Sequence, residues 1–241
     1  MNIDILRGAV ALALVGSALS ASAAAVDLTL TGWARGSGNS VKVTGHNGPA
    51  GGFAGSLANV GAFNSNPFTT YCIELEENFS FGGNVMPGYR IVPGASYFSG
   101  RGLDASKADR LGQLWTYVSA NTGAVDDALE STGMQLAIWN IVYDTDNTLT
   151  YASGAAFSDK TRDAAFRGYA DVLLAGSFNV TNRFDVYALQ KSGSQDFLLT
   201  SLRDGGSRTG NAVPEPASLA LSLMALAALG AVARRRAGKA G

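Results

Sequence analysis

The fold class is decided by the stretch Met134-Gln135-Leu136-Ala137-Ile138-Trp139-Asn140-Ile141-Val142, whose apolar residues recur with the period of an α-helix. This helix begins either at Asp126 or only after Ser131, because Gly133 leaves its start open. The same period predicts one helix on each side of it, over residues 104–121 with Asp104 as the cap and over residues 158–176. Helices therefore occupy the middle of the chain.

Sequence of alternating polarity on both sides of the helices predicts β-strands. The predicted strands are residues 26–33, 41–43, 68–75, 89–92, 184–189 and 197–201. Residues 45–67 are dense in glycine and asparagine, so we expect a loop there. Strands at both ends with helices between them predict one α+β domain, most simply a β-sandwich or barrel with a helical insertion.

The N-terminal segment has the pattern of a cleaved secretory signal. Residues 1–23 contain Arg7, then twelve mostly apolar residues from Gly8 to Leu19, then the small residues Ala21-Ser22-Ala23. The apolar run is too short to span a bilayer. We therefore expect the chain to be exported, with cleavage after Ala23 or Ala25.

The C-terminal segment has three parts in a fixed order. Pro214-Glu215-Pro216 is followed by seventeen uncharged residues, 217–233, and then by Arg234-Arg235-Arg236. A helix of that length just spans a bilayer core, and the arginines would stay on the cytoplasmic side. The tail resembles a PEP-CTERM sorting signal, which implies processing by an exosortase after transient insertion into the inner membrane of a Gram-negative bacterium.

These ends divide the chain into four predicted parts. They are a signal peptide (1–23), an α+β domain (24–200), a solvated linker (201–212) and a sorting signal with a transmembrane helix (213–241). The resemblance of the tail implies that the processed domain is located at the envelope surface or in the extracellular matrix. Residues 24–211 carry a net charge of −4 without clusters, which gives no electrostatic case for nucleic acid binding.

The single cysteine is the residue with the clearest chemical potential. Cys72 cannot form an intrachain disulfide because it is the only cysteine. A lone thiol in an oxidising compartment is a liability unless it is buried, paired with another molecule or chemically capped. Cys72 lies in Thr70-Tyr71-Cys72-Ile73-Glu74, and the predicted central helix contains Gln135. A thiol and a carboxamide in contact can lose ammonia and form an internal thioester, which would be such a cap.

The two segments resemble the paired motifs of the Cys-Gln thioester domains of bacterial surface proteins. In that family an aromatic-Cys-aliphatic-acidic run faces an apolar-Gln-x-x-apolar-Trp run, here around Cys72 and Gln135. The resemblance implies a Cys72–Gln135 thioester supported by Tyr71, Glu74 and Trp139. It also implies a single-turnover covalent adhesive rather than an enzyme, without cofactor or metal, that joins an extracellular protein amine or a polysaccharide hydroxyl.

Several alternatives remain open at this stage. In the main one, Cys72 stays a buried thiol and the domain is a noncovalent structural or carbohydrate-binding matrix protein. An enzyme that processes glycans would use Glu74, Glu76 and Glu77, but a working pair must face each other across a substrate. A Cys-His hydrolase would depend on His46, the only histidine.

Two further patterns have ordinary structural interpretations. Asp144-Thr145-Asp146-Asn147 is similar to the start of a calcium loop but lacks the later glycine and glutamate, so a polar helix exit is expected. Trp33, Trp115 and Trp139 are expected in the core, with Trp33 the best candidate for an exposed sugar platform.

Overall fold

Strands enclose a helical segment in the computed structural model, which describes residues 25–44, 46–60, 67–79, 82–144 and 164–203. The described strands are β1 (Ala25–Trp33), β2 (Asn39–Val43), β3 (His46–Ala50), β4 (Phe53–Ala58), β5 (Phe68–Thr70), β6 (Val85–Pro93), β7 (Phe184–Lys191) and β8 (Ser194–Leu202). The described helices are α1 (Gly94–Gly100), α2 (Lys107–Ala120), α3 (Ala128–Tyr143) and α4 (Ala164–Ser177). All four helices lie between β6 and β7, so they form the predicted helical insertion.

Six of the strands form one antiparallel sheet in the order β5-β4-β1-β6-β7-β8, and β2 and β3 form a separate two-stranded sheet. The residues that follow β5 also pair with the opposite edge strand. Leu198 N donates to the carbonyl of Tyr71 (2.9 Å), Ile73 N donates to the carbonyl of Asp196 (3.1 Å), and Cys72 forms an antiparallel bridge with Phe197. The two edges of the large sheet are thereby linked, which leaves less unpaired backbone at each of them.

The α+β class predicted from the sequence is confirmed, since a large antiparallel sheet carries the helical insertion. The finer expectation of a sandwich or barrel stays a prediction, and the linked edges favour a closed arrangement. The described residues all belong to one compact unit, Ala23–Pro214.

Helix α3 is the central element of the fold. It begins at Ala128 behind a capping box in which Glu130 N donates to Asp127 Oδ1 (2.8 Å) and the Glu130 carboxylate accepts from the backbone of Asp127. This settles the open start in favour of the longer helix. Every residue from Ser131 to Val142 is buried, so the helix has no solvent face along that length.

Several boundaries differ from the prediction. Residues 46–50 and 53–58 are strands β3 and β4, so the loop predicted over 45–67 is wrong for these residues. Strand β5 ends at Thr70, and Cys72 lies beyond it in an isolated bridge instead of inside a long strand. The physical reason is that the 71–73 segment leaves β4 to pair with β8.

The helical boundaries and the linker also need correction. Helix α1 was not predicted, and α2 begins at Lys107 because Asp104 Oδ1 accepts from Ser106 N (2.8 Å) in a preceding turn instead of capping the helix. Strand β8 extends through Leu202, so the first two residues of the predicted linker are strand.

Some predictions fall outside the described residues. They are the signal peptide, most of the linker, the sorting tail with its transmembrane helix, and the first residues of the helix predicted from Ser158. Among the helices that the structure does describe, none is both long enough and apolar enough to cross a membrane.

Helices α3 and α4 approach each other closely at Gly133. A Cβ atom added there would lie 2.9 Å from Cδ1 of Tyr169 and 3.2 Å from the carbonyl oxygen of Phe166. We expect Gly133→Ala to lower the free energy of unfolding by about 1 to 3 kcal/mol, because overpacking outweighs the better helix propensity of alanine. The control is Gly168→Ala in α4, where nothing lies within 4 Å of the added atom. Chemical denaturation should show that variant to be more stable by about 0.5 to 1 kcal/mol, and equal effects at both sites would contradict the close packing.

Candidate functional site

The backbone around Cys72 has two hydrogen-bonding edges. Tyr71 and Ile73 use theirs to pair with β8, at distances of 2.9 and 3.1 Å. Because neighbouring residues of an extended chain point their N–H and C=O groups to opposite sides, the groups of Cys72 face away from β8. They therefore need a partner from another part of the fold.

Gln135 supplies that partner from the middle of α3. The backbone N–H of Cys72 donates to Oε1 of Gln135 (2.9 Å), and Nε2 of Gln135 donates to the carbonyl oxygen of Cys72 (2.8 Å). The carboxamide thus occupies the place that a neighbouring strand would take. Both residues are buried, with 6% of Cys72 and 1% of Gln135 exposed, so the two residues that the sequence singled out do lie in contact.

The surroundings of the thiol disfavour its ionised form. Burial raises the pKa of the Cys72 thiol well above its usual range, and the nearby Glu74 carboxylate raises it further. A resting thiolate of the kind used by cysteine hydrolases is therefore not favoured here. The thiol therefore stays neutral, and its residue is held to the Gln135 carboxamide through the Cys72 backbone.

Tyr71 and Trp139 flank this contact. Tyr71 is buried, and its ring packs over Gly52, where an added Cβ would lie 2.7 Å from the Tyr71 Cζ. Burial raises the pKa of Tyr71 to about 12, so its hydroxyl keeps its proton. Trp139 follows Gln135 by one helical turn, is 2% exposed and lines the same pocket as Cys72 and Gln135.

Glu74 anchors the Cys72 segment rather than entering the pocket. Its Oε1 accepts from Asp196 N (2.7 Å), and its Oε2 lies 3.0 Å from a guanidinium nitrogen of Arg101 just after α1. The other terminal nitrogen of Arg101 binds Glu76 at 2.8 Å. Glu74 therefore ties the segment to both β8 and α1.

The pKa of Glu74 is raised to about 7 by burial and by the nearby Asp196 carboxylate. The folded state then holds the proton more tightly than the unfolded state, where the pKa is 4.5. The stability that this contributes is complete below pH 4.5 and is lost as the pH rises through 7.

We expect Glu74→Gln to remove this pH dependence. The amide keeps the shape and an acceptor for Asp196 N but cannot ionise. The free energy of unfolding of the variant, relative to that of the wild type, should therefore rise by about 1 to 3 kcal/mol from low to high pH. Urea denaturation of both proteins at pH values below 4.5 and above 7 measures the difference. A difference that does not change with pH would contradict a buried, proton-binding Glu74.

A pocket of about 450 Å³ opens beside Cys72 and Gln135. Its wall includes the rings of Trp33, Phe53 and Phe79. The ring centroids of Trp33 and Phe53 are 4.8 Å apart, and those of Phe53 and Phe79 are 4.9 Å apart. His46, from the first position of β3, and Trp139 line it as well. A small molecule thus has space next to Cys72 and Gln135.

Two polar atoms at this pocket have no hydrogen-bond partner in the described part of the chain. They are Nε2 of His46 and Nε1 of Trp139, both buried from solvent, and the two rings lie 5.1 Å apart. Burial lowers the pKa of His46, against a smaller opposite effect of the Pro49 and Gly48 carbonyls, so its imidazole is neutral near pH 7.

The other candidate residues have structural roles. Glu74 and Glu76 bind the same guanidinium, so they do not face each other across an open cleft as a glycosidase pair would. Asp144 is buried directly after α3, where its carboxylate accepts from Asn140 and its carbonyl from Lys107, which fits the expected helix exit. Of the three tryptophans, Trp139 belongs to the hydrophobic core, while Trp33 and Trp115 are partly buried and pack against that core.

Sequence reasoning considered His46 as a partner of Cys72 but placed it in a loop, whereas it begins strand β3 and lines the same pocket as Cys72. The roles of Arg101 and Gln195 were not predicted. Gln195 lines the pocket and donates to the carbonyls of Glu74 and Asp196, each at 3.2 Å. No local pattern marks these residues, because long-range contacts bring them to the site: β3 packs near Trp139 of α3, β8 pairs with the Cys72 segment, and Arg101 binds Glu74.

Comparison with known proteins identifies one segment. The PEP-CTERM protein-sorting motif matches residues 212–236, which include Pro214-Glu215-Pro216 and Arg234-Arg235-Arg236. The predicted sorting signal is confirmed, and it implies processing by exosortase, export in a Gram-negative bacterium, and attachment at the cell surface or in the matrix. No curated protein and no solved structure matches the chain. The resemblance to thioester domains has no support from these comparisons and stays a prediction.

Proposed function

We propose that the domain is an exported covalent adhesive or cross-linking module whose reactive group is a thioester between Cys72 and Gln135. The observation that carries the proposal is the pair of hydrogen bonds that holds the Gln135 carboxamide against the Cys72 backbone inside a buried site. The sorting signal adds delivery to the cell surface or matrix, where such a module would meet its partner.

The hydrogen bonds suit the chemistry of closure. Sγ of Cys72 attacks Cδ of Gln135, and the negative charge that develops on Oε1 is stabilised by the Cys72 N–H, which already donates to that atom at 2.9 Å. The S–C bond forms and the C–N bond breaks. Nε2 leaves as ammonia after taking the thiol proton, so no other reactant is needed.

The burial of the site supports storage of the acyl group. Water would hydrolyse a thioester, and the low exposure of Cys72, Gln135 and Trp139 restricts its access. A nucleophile in the adjacent pocket would attack Cδ of Gln135, release the Cys72 thiol and remain joined through the Gln135 side chain. The event occurs once per molecule, so the protein is not a turnover enzyme.

A noncovalent matrix module is the second candidate, and one specific observation favours it. Both polar groups of the Gln135 carboxamide are satisfied by Cys72 without any covalent bond, as an ordinary buried glutamine requires. In that case Gln135 only satisfies the backbone N–H and C=O of Cys72, and the Cys72 side chain is a small buried apolar group.

Methylamine distinguishes the two candidates. A thioester should convert Gln135 into its N-methylamide when folded protein is incubated with methylamine, whereas an ordinary carboxamide does not react. Peptide mass spectrometry locates the modification, and Gln113 in α2 and Gln190 in β7 serve as internal controls. An unmodified Gln135 in folded protein would contradict the thioester.

A further inference from the structure

The chemistry of the pocket beside Cys72 and Gln135 indicates which nucleophile it accepts. None of the described residues that line it carries a formal charge when His46 is neutral. A lysine ammonium that enters such a pocket loses its hydration and finds no carboxylate in the wall, which is costly. A neutral polyol does not meet this penalty.

The polar atoms of the pocket match a hydroxyl-bearing ligand. Nε1–H of Trp139 is a donor without an acceptor among the residues that the structure describes, and Trp139 is only 2% exposed. The wall also includes Asn47 and Asn78, whose side-chain amides carry both donors and acceptors. Together with the aromatic rings of Trp33, Phe53 and Phe79, they form the mixture of flat apolar faces and fixed polar groups that suits a sugar ring.

His46 supplies the base that a hydroxyl nucleophile needs. An alcohol is a weak nucleophile until its proton is removed, whereas an uncharged amine attacks without assistance. The buried Nε2 of His46 has no partner in the described part of the chain, and it lines the same pocket as Cys72 and Gln135. With the proton on Nδ1, Nε2 offers its lone pair to the incoming hydroxyl.

We propose that this pocket is an acceptor site for a carbohydrate hydroxyl and that His46 is the catalytic base which directs it onto the Gln135 acyl group. This inference rests on the proposed thioester. The hydroxyl oxygen bonds to Cδ of Gln135 while its proton passes to Nε2 of His46. The Cδ–Sγ bond then breaks, the proton returns to Cys72 Sγ, and the products are an ester at Gln135 and a free thiol.

The test compares two probes on the purified full-length protein at one near-neutral pH: methyl glucoside as the hydroxyl probe and methylamine, whose uncharged fraction reacts, as the amine probe. Intact mass and peptide mapping measure the ester and the methylamide at Gln135. We expect both products in the wild type. In His46→Gln the ratio of ester to methylamide should fall by about 10²- to 10⁴-fold, which is the usual contribution of a general base.

Two further variants keep the test independent of any general damage by the His46 substitution. Trp139→Phe keeps a ring but removes the donor, so the ratio of ester to methylamide should fall. Asn78→Asp adds a carboxylate to the wall, so a cationic amine such as a lysine side chain in a peptide should react faster relative to methyl glucoside.

The possible failures are distinguishable. Absence of both products would mean that the thioester itself does not exist, and the inference would fall with it. A methylamide without any ester, or a ratio unchanged in His46→Gln, would overturn the hydroxyl acceptor site while leaving the thioester intact.

Discussion

Cys72→Ala is expected to abolish every covalent adduct at Gln135, whichever nucleophile is offered. Without the thiol no acyl group forms, so the carboxamide stays an ordinary glutamine held by the Cys72 backbone contacts, which alanine retains. Incubation with methylamine followed by peptide mass spectrometry measures the loss. Methylamide at Gln135 in this variant would rule out Cys72 as the thioester partner.

The same substitution should have a large effect on stability. Removing one buried sulfur alone costs about 1 to 3 kcal/mol. A thioester also cross-links positions that lie 63 residues apart, and by the chain-entropy relation a loop of this size contributes about 4 kcal/mol. Cys72→Ala should therefore be much less stable than the closed wild type, while wild type already opened by methylamine should exceed the variant only by the contribution of the sulfur, about 1 to 3 kcal/mol. Equal stabilities of opened and untreated wild type would speak against a cross-link.

Gln135→Glu is expected both to prevent closure and to destabilise the fold by about 3 kcal/mol or more relative to wild type in which Gln135 is still a carboxamide. Ammonia is a better leaving group here than hydroxide, so the carboxyl group does not acylate Cys72. The structural cost arises because an oxygen replaces Nε2, which now donates to the Cys72 carbonyl at 2.8 Å, and a charged carboxylate would face another acceptor in a buried site.

The matched control is Gln113→Glu in α2, where the side chain is only half-buried. Urea denaturation and methylamine incorporation should both leave that variant close to the wild type. The expected deficit in Gln135→Glu should also shrink as the pH falls, because protonation removes the buried charge. Adduct formation by Gln135→Glu at the wild-type level would contradict the mechanism.

The sequence predicted the helical insertion and the Cys72–Gln135 contact for different reasons. Helices α2, α3 and α4 were predicted from the helical spacing of their apolar residues, a local signal that arises because these helices are buried on one side or on all sides. The contact was inferred from a resemblance between two motifs, and the structure brings them together through the turn of the 71–73 segment onto β8. Periodicity alone contains no information about that pairing.

Strand β4 illustrates what local sequence could not reveal. Its buried positions are Phe53, Gly55 and Leu57, an alternation that the glycine hides. Gly55 nevertheless suits the packing here, because an added Cβ would lie 3.0 Å from Cδ2 of Leu30 in β1 and that side chain would have to shift. A strand whose inward residue is a glycine has the composition of a loop, and only its neighbours in the sheet identify it.

The strand that carries His46 was not predicted for a similar reason. His46 is the first residue of β3, in His46-Asn47-Gly48-Pro49-Ala50, a segment with almost none of the residues that favour strands. Its place beside Trp139 depends on the packing of the β2–β3 sheet near α3, which connects residues far apart in the chain. The base proposed for hydroxyl transfer therefore becomes visible only in three dimensions.

The intact mass of the purified protein, measured beside that of its Cys72→Ala variant and compared with the masses calculated from their sequences, tests the thioester most directly. The account predicts a wild type lighter by one molecule of ammonia and a variant at its full calculated mass. A wild type at its full calculated mass, with one thiol that titrates on unfolding, would contradict the account and leave a noncovalent matrix module in its place.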